Sequence, residues 1–87
     1  MSHWKWFVYI LECTDGTYYT GCTWSISNRL EQHASGLGSK YTATHGFKNL
    51  VYAEEHDDFE TALQREQQIK KWSQKKKEKL IRGEWKG

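Results

Sequence analysis

The feature that most restricts the fold of this chain is a β-hairpin signal near its N-terminus. Residues 6–13 are rich in aromatic and aliphatic strand formers. Asp15-Gly16 follows, and glycine supplies the positive φ that a tight turn requires. Residues 18–22 then form the return strand. The sequence therefore predicts two adjacent antiparallel strands.

The middle of the chain predicts one helix, one loop and one strand. Ser25 is a suitable N-cap for a helix of about residues 25–36 that ends at Gly36. Its apolar side chains recur at three- and four-residue steps: Ile26, Leu30, Ala34 and Leu37. Residues 36–47 contain three glycines and several small polar residues, which are typical of a loop. Residues 48–54 predict a third strand.

The remainder of the chain predicts two further helices. Asp57 and Glu60 have the spacing of a capping box, which would open a helix of about residues 58–72. The inward stripe of that helix is Phe59, Ala62, Leu63, Glu66 and Ile69. Ser73 is suited to cap a final short helix, in which Leu80 and Ile81 supply the apolar contact. Helices packed over three strands indicate a small α/β sandwich, a single domain over residues 1–87.

Composition narrows the class of protein. The 87-residue chain has 37% hydrophobic residues and 15% aromatic ones, so large rings replace part of the aliphatic bulk in a small core. No apolar run reaches the roughly 20 residues of a membrane span, and no secretory signal is visible. The two cysteines are too few for a disulfide framework. These features predict a reduced, cytoplasmic protein.

Charge is strongly segregated although the net charge is only +2. Residues 70–82 contain seven basic residues and one acid, whereas residues 54–60 contain five acids and no lysine or arginine. Such a basic segment could bind a polyanion such as nucleic acid. The alternative is a solvated lysine-rich helix.

Two polar residues share one side of the first predicted helix. Arg29 and His33 are four residues apart, which places His33 on the apolar face and Arg29 at its rim. An arginine at such a rim can direct its guanidinium into a groove beside the sheet. For His33 alone, a hydrogen-bonded core histidine is the simpler interpretation.

Glu66 lies in the middle of the buried stripe of the second predicted helix. An unpaired carboxylate there costs several kcal/mol unless a cation or hydrogen bonds compensate it. A structural salt bridge to Arg29 or Arg65 is one explanation, and a bound divalent metal is the other. Mg²⁺ commonly takes one or two carboxylates and completes its shell with water and phosphate, so one acid is enough.

Strand alternation sorts the tyrosines of the hairpin. Tyr18 and Tyr19 are neighbours and face opposite sides, so at most one of them shares a surface with Tyr9. A tyrosine in a strand usually serves packing, with its hydroxyl at the rim.

Taken together, these residues resemble the GIY-YIG nuclease superfamily. The resemblance is carried by Val8-Tyr9-Ile10, by Tyr19-Thr20-Gly21, by Arg29 and His33 eight and twelve residues after that glycine, and by Arg65-Glu66. It is closest to the small, stand-alone bacterial proteins of that group. It implies a sandwich with a central three-stranded antiparallel sheet and hydrolysis of a DNA phosphodiester with one divalent metal, Mg²⁺ or Mn²⁺. Repair or recombination of branched, nicked or duplex DNA is the expected setting.

The resemblance also implies a role for each site residue. Tyr9 and Tyr19 would be the paired tyrosines, Glu66 the metal ligand, and Arg29 the group that stabilises charge on the phosphate. His33 would orient or deprotonate a tyrosine. Residues expected to contact the substrate are Gly21, Lys40, Tyr41, Lys70, Lys71, Lys75, Lys76 and Lys77.

The chain departs from the family pattern in ways that leave other functions open. The tripeptides that name the superfamily are here Val-Tyr-Ile and Tyr-Thr-Gly, and no asparagine follows Asn49, whereas many members carry one after the glutamate. One alternative is a non-catalytic nucleic-acid-binding module on the same fold. Another is a protein-interaction domain that uses Trp4, Trp6 and residues 54–60. Without a second domain, a protein partner could supply specificity.

Overall fold

The computed structural model describes residues 5–84, which form a three-stranded antiparallel sheet and four helices. In chain order the elements are β1 (Trp6–Cys13), β2 (Tyr18–Thr23), α1 (Ile26–Ala34), α2 (Lys40–His45), β3 (Phe47–His56), α3 (Phe59–Lys70) and α4 (Gln74–Ile81). The predicted α/β sandwich with its central sheet is confirmed. Trp4, named above as a candidate contact residue, lies outside the described residues.

The predicted hairpin is present and joins β1 to β2. The backbone N–H of Gly16 donates to the carbonyl of Cys13, and Gly16 has φ of +86°. The Asp15 carboxylate accepts from the backbone N–H of Thr17, which fixes the turn locally. The strand order is β2-β1-β3, so β1 is central and β2 is an edge strand.

The two faces of the sheet are covered by different helices. Val8 and Ile10 of β1 are fully buried and form the core with Ala62, Ile69 and Leu80 of α3 and α4. Because side chains alternate along a strand, Tyr9 and Leu11 point to the other face. His33 of α1 contacts Tyr9 there. Helices α1 and α2 therefore cover one face, and α3 and α4 cover the other.

The prediction of a loop over residues 36–47 is wrong in part, because this segment contains α2. The Ser39 side chain accepts from the backbone N–H of Thr42 and caps this helix, and Gly46, with φ of +82°, ends it. Six residues without an apolar stripe give no periodic signal. The helix is held instead by its caps and by contacts to α1.

Three smaller details also differ from the sequence prediction. The N-cap of α3 is Asp58, whose carboxylate accepts from Thr61 N–H, and not Asp57. Helix α1 ends at Ala34, which is exposed, and Leu37 beyond it is 83% exposed. Neither Ala34 nor Leu37 therefore lies on the buried face of α1. Phe59 is 46% exposed and packs on Trp6 at a ring distance of 4.7 Å. Ser73 caps α4 as predicted, and Leu80 is buried.

Within residues 5–84, none of the helices has both the length and the apolar character needed to cross a bilayer.

Candidate active site

A buried hydrogen-bond chain connects β1 to α1 and α2. The Tyr9 hydroxyl lies 3.0 Å from His33 Nε2, and His33 Nδ1 lies 2.8 Å from Thr42 Oγ1. Tyr9 is fully buried, His33 is 2% exposed and Thr42 is 1% exposed. Both ring nitrogens of His33 therefore have a partner, and the interpretation of His33 as a hydrogen-bonded buried histidine holds. The sequence did not predict that Thr42 takes part in this chain of hydrogen bonds.

Two glycines make room for the Tyr9–His33 pair. Gly21 is opposite Tyr9 in the β1–β2 register, and a Cβ there would collide with the Tyr9 phenol. A Cβ at Gly38 would lie 2.7 Å from His33 Cγ. The space beside Gly21, which was expected to contact the substrate, is therefore filled by the Tyr9 phenol. Gly38 was missed because the sequence does not show that the chain after α1 turns back onto His33.

Aromatic rings surround this pair on the same face. Tyr19 lies 6.3 Å from Tyr9 and 5.2 Å from His33, measured between ring centroids. Tyr41 of α2 lies 5.8 Å from Tyr19 and stacks on His45 at 4.1 Å. Tyr18 instead packs against the core on the opposite face, as strand alternation predicted.

Burial changes the proton affinity of both partners in the pair. It raises the pKa of Tyr9 to about 12, and the neighbouring Arg29 guanidinium acts in the opposite direction. Burial lowers the pKa of His33, and the Arg29 charge lowers it further. At neutral pH the phenol therefore keeps its proton and the imidazole is uncharged, which suits a hydrogen bond from Tyr9 O–H to a ring nitrogen.

Arg29 lies at the edge of this group, on the first turn of α1. Its Nη1 donates to Gln32 Oε1 at 2.8 Å. The nearby Tyr9 and Tyr19 hydroxyls raise the pKa of Arg29, with Tyr9 the larger influence. Arg29 Nε is buried and has no hydrogen-bond partner among residues 5–84, so neither tyrosine hydroxyl is placed for a good hydrogen bond to this atom. The guanidinium is thus beside both tyrosines while retaining capacity for further acceptors.

Glu66 belongs to the other face of the sheet, beside β2. It lies on α3 between buried Ala62 and Ile69 and is 9% exposed. Burial raises the pKa of Cys22, and the Glu66 charge raises it further, to about 11. That charge also contributes to the raised pKa of Tyr9. The Glu66 charge therefore acts on both Cys22 of β2 and Tyr9 of β1, although Glu66 and Tyr9 belong to opposite faces.

The cation paired with Glu66 is neither of the two arginines expected from the sequence. Lys70 Nζ lies 3.3 Å from Glu66 Oε2, one helical turn along α3. Arg65 Nε instead donates to Glu54 Oε2 at 3.0 Å, and Arg29 faces the tyrosines. Both salt-bridge predictions are wrong for the same reason: each arginine has another partner.

Glu66 fits a metal site built from a single carboxylate. Residues 5–84 contain no group of three or more His, Cys, Asp or Glu side chains that could enclose a metal ion. The chemistry of Mg²⁺ is compatible with one carboxylate when water and substrate phosphate supply the remaining oxygens. Lys70 is half exposed, so it can move away from Glu66 at small cost.

The predicted substrate-contact lysines do not all converge. Lys70 and Lys77 line a cleft of about 330 Å³ with Tyr18, Tyr19, Thr20 and Tyr41. Burial lowers the pKa of Lys77, and the Lys70 charge adds to that effect. Lys75 and Lys76 line a separate hollow with Ser73 and Lys79. Lys40 and Lys71 are exposed.

Comparison with known proteins identifies the family. The model of the GIY-YIG catalytic domain family matches residues 5–79. The UPF0213 protein BH0048 of Halalkalibacterium halodurans is 44% identical over 81 residues, which cover 93% of this chain and 83% of that protein. The UPF0213 protein NP_0776A of Natronomonas pharaonis is 42% identical over 78 residues, covering 90% of this chain and 92% of that protein. The chain belongs to the GIY-YIG family.

A solved structure supports the same assignment. The solution NMR structure of the UPF0213 protein BH0048 from Bacillus halodurans superposes with a TM-score of 0.56 at 44% identity, covering 88% of this chain and 82% of that one. The UPF0213 relatives are small GIY-YIG proteins like this chain. Their names describe no activity.

We expect Gly21→Ala to destabilise the protein by about 1–3 kcal/mol, the usual cost of overpacking. Gly21 does not have positive φ, so the backbone tolerates alanine and the collision with the Tyr9 phenol is the cause. Urea unfolding of Gly21→Ala alone and in a Tyr9→Leu background measures this. The cost should largely disappear when the phenol is absent, and an equal cost in both backgrounds would contradict the explanation.

A pH dependence of stability should also follow from His33. Its pKa in the folded protein is below the value of about 6.5 in an unfolded chain, so the unfolded state binds more protons between the two values. Stability is therefore complete above about pH 6.5 and falls as pH drops towards the folded pKa. Urea unfolding between about pH 7.5 and 5 should show a steeper loss in wild type than in His33→Gln. Parallel curves would rule the dependence out.

Proposed function

We propose that this protein is a metal-dependent DNA endonuclease that hydrolyses phosphodiester bonds. The observation that supports the proposal most directly is the buried Tyr9–His33 hydrogen bond beside Arg29. A phenol, an imidazole and a guanidinium in contact provide a proton acceptor and a positive charge within one small site. These are the groups that in-line attack of water on a phosphate requires.

The hydrogen-bond chain gives Tyr9 a direction for its proton. The Thr42 hydroxyl donates to the Ser39 carbonyl, at 3.4 Å, and so can accept from His33 Nδ1–H. His33 Nε2 is then the acceptor for the Tyr9 O–H. The Tyr9 oxygen is buried in the substrate-free protein, so the step requires that substrate binding admit the attacking water to it. As that water gives a proton to the Tyr9 oxygen, the phenolic proton passes to Nε2. The result is an imidazolium that stays hydrogen-bonded to Thr42.

This transfer avoids forming a free phenolate. With a pKa of about 12, Tyr9 is almost fully protonated at neutral pH and is a poor base alone. Simultaneous loss of its proton to His33 removes that difficulty, because the charge on the phenol oxygen never develops fully. Arg29 lies beside the same oxygen and stabilises whatever negative charge does appear.

Arg29 and Glu66 complete the proposed chemistry from two sides of β2. Arg29 stabilises the charge on the non-bridging phosphate oxygens. Glu66 would hold the divalent metal, Mg²⁺ or Mn²⁺, which when bound polarises the phosphate and lowers the pKa of coordinated water. Tyr19, whose ring contacts both Tyr9 and His33, would position the phosphate group.

The DNA backbone would follow the cleft lined by Lys70, Lys77 and Tyr41. Two lysines that face one hollow repel each other, and a phosphate between them removes that repulsion. The floor of the cleft holds Thr20, whose buried hydroxyl has no partner among residues 5–84. Binding of this kind should weaken steeply with salt. Lys40, Lys71, Lys75 and Lys76 would add weaker, outer contacts.

The wider role proposed here is processing of branched or nicked DNA in the cytoplasm, in repair or recombination. Cys13 and Cys22 are unpaired, in keeping with a reducing compartment. A basic cleft provides affinity without sequence recognition, so selectivity would come from DNA structure or from a protein partner.

Cleavage assays on branched, nicked and linear DNA, with Mg²⁺, Mn²⁺ or chelator, test this proposal. We expect Arg29→Ala to lower turnover about 10²–10³-fold, the usual effect of removing one preorganised charge donor, while DNA binding changes little. Arg82→Ala is the matched control, because Arg82 is 60% exposed and pairs with Glu78 and Glu84. Binding without cleavage in any metal would favour the non-catalytic module instead.

Glu66→Gln should abolish metal binding near the tyrosines without unfolding the protein. Mn²⁺ broadens NMR signals of nearby protons, so wild type should lose the Tyr9 and Tyr19 ring signals on titration and the variant should keep them. Glu60→Gln, an exposed change on the same helix, is the control. If Glu66→Gln leaves the broadening unchanged, Glu66 is not the ligand, and if it unfolds the protein, the pair with Lys70 is structural.

A further inference from the structure

A second hollow opens beside Arg29, at the end of β2 away from the lysines. It measures about 250 Å³ and is lined by Trp6, Cys22, Thr23, Trp24, Ser25, Asn28, Arg29 and Gln32. Pockets for drug-sized ligands span roughly 300–1,000 Å³, so this one suits a single ring system. It is separate from the cleft that Lys70 and Lys77 line.

One part of the wall of this hollow is aromatic, formed by Trp6 and Trp24. Trp24 is 49% exposed, although indole is among the side chains that proteins bury most on average. Trp6 is half-buried against Phe59, so its ring is fixed in place. A large exposed ring next to a concave surface is a platform on which a flat ligand can stack.

The polar groups of the hollow divide into two sets. The hydroxyls of Thr23 and Ser25 are used at the start of α1: Thr23 Oγ1 bonds the Ser25 backbone, and Ser25 Oγ accepts from Asn28 N–H. The side-chain amides of Asn28 and Gln32 are not part of that cap. Gln32 Oε1 accepts from Arg29, which leaves its NH₂ group as a donor.

An indole platform, amide groups at the edge and an arginine at one end match one ligand chemistry. Nucleobases are flat, stack on aromatic rings, and carry donors and acceptors on their edges. A base inside a duplex has both faces covered and its edge paired, so it could not enter. We infer that this hollow binds one unpaired nucleobase of the DNA strand whose phosphate contacts Arg29. This inference rests on the proposed function for the identity of the substrate.

The consequence is a preference for DNA with unpaired bases at the site. The phosphate backbone contributes affinity through the lysine cleft, irrespective of base pairing. The hollow adds affinity when a base next to the bound phosphate can leave the helix. Branched, gapped or single-stranded DNA supplies such a base at low cost, whereas intact duplex must first be opened.

Binding of two single-stranded probes by fluorescence anisotropy tests the inference in the presence of chelator, where cleavage cannot interfere. One probe is a thymidine decamer, and the other is a decamer of abasic sites with the same number of phosphates. We expect wild type to bind the thymidine probe about 10-fold more tightly, within the range expected from stacking of one base. Trp24→Ala should abolish this preference, and Trp24→Phe, which keeps a ring, should retain most of it.

Three further variants keep the test decisive. Leu37→Ala removes an 83% exposed apolar side chain beyond the other end of α1, and it should leave the preference unchanged. If Trp24→Ala fails to fold by circular dichroism, Asn28→Ala and Gln32→Ala should each reduce the preference. No preference in wild type, or a preference that survives in folded Trp24→Ala, would overturn the inference.

This outcome is distinguishable from failure of the proposed function. A protein that prefers the thymidine probe but never cleaves DNA with Mg²⁺ or Mn²⁺ would retain the base site and lose the nuclease assignment. A protein that cleaves DNA and binds both probes equally would keep the nuclease assignment and lose the base site.

Discussion

The site depends on one buried contact, the hydrogen bond between the Tyr9 phenol and His33 across the packed face of the sheet. Burial makes this contact a strict requirement: Tyr9 is completely buried, and an unpaired hydroxyl there would cost about 1–3 kcal/mol. His33 in turn needs a partner for its second nitrogen, and Thr42 supplies it. Tyr9, His33 and Thr42 therefore tie β1, α1 and α2 together. Two glycines are needed to accommodate Tyr9 and His33. Stability and the proposed proton transfer use the same atoms.

Much of the fold could be predicted because its signals are local. The Asp15-Gly16 turn, the Ser25 and Ser73 caps and the strand-forming runs each specify their element within a few residues. Helix α2 could not be predicted this way, because its six residues have no apolar periodicity and its stability comes from contacts with α1. The cap of α3 was placed one residue early because Asp57 and Asp58 are both acceptable N-caps, and only three-dimensional geometry selects between them.

The site could be predicted as a set of residues but not as an arrangement. Strand alternation allowed at most one of Tyr18 and Tyr19 to share a face with Tyr9, and the ring distances show that Tyr19 does. The partner of Glu66 could not be deduced from sequence, because three cations are within reach of a helix face and their other neighbours decide which one pairs. Arg65 is held by Glu54, which also bonds Tyr52 and His56. Arg29 faces the tyrosines, and Glu66 pairs with Lys70. Gly38 escaped notice for the same reason: its importance depends on where His33 lies.

The position of β2 at the sheet edge gives groups from opposite faces a common open side, which the proposed action on one phosphate requires. If β2 were a central strand, it would be paired on both sides. The sheet would then separate Arg29 and Tyr9 on one face from Glu66 on the other. An edge strand has one open side, and both hollows of the site include β2 residues. Side chains from α1 and α3 can therefore approach a ligand that lies along that open side. Bound there, the strand of DNA itself would cover the unpaired edge, which otherwise is a liability for aggregation. The same geometry places the lysine cleft and the tryptophan hollow at the two ends of β2, so that a single strand running along the edge would meet both.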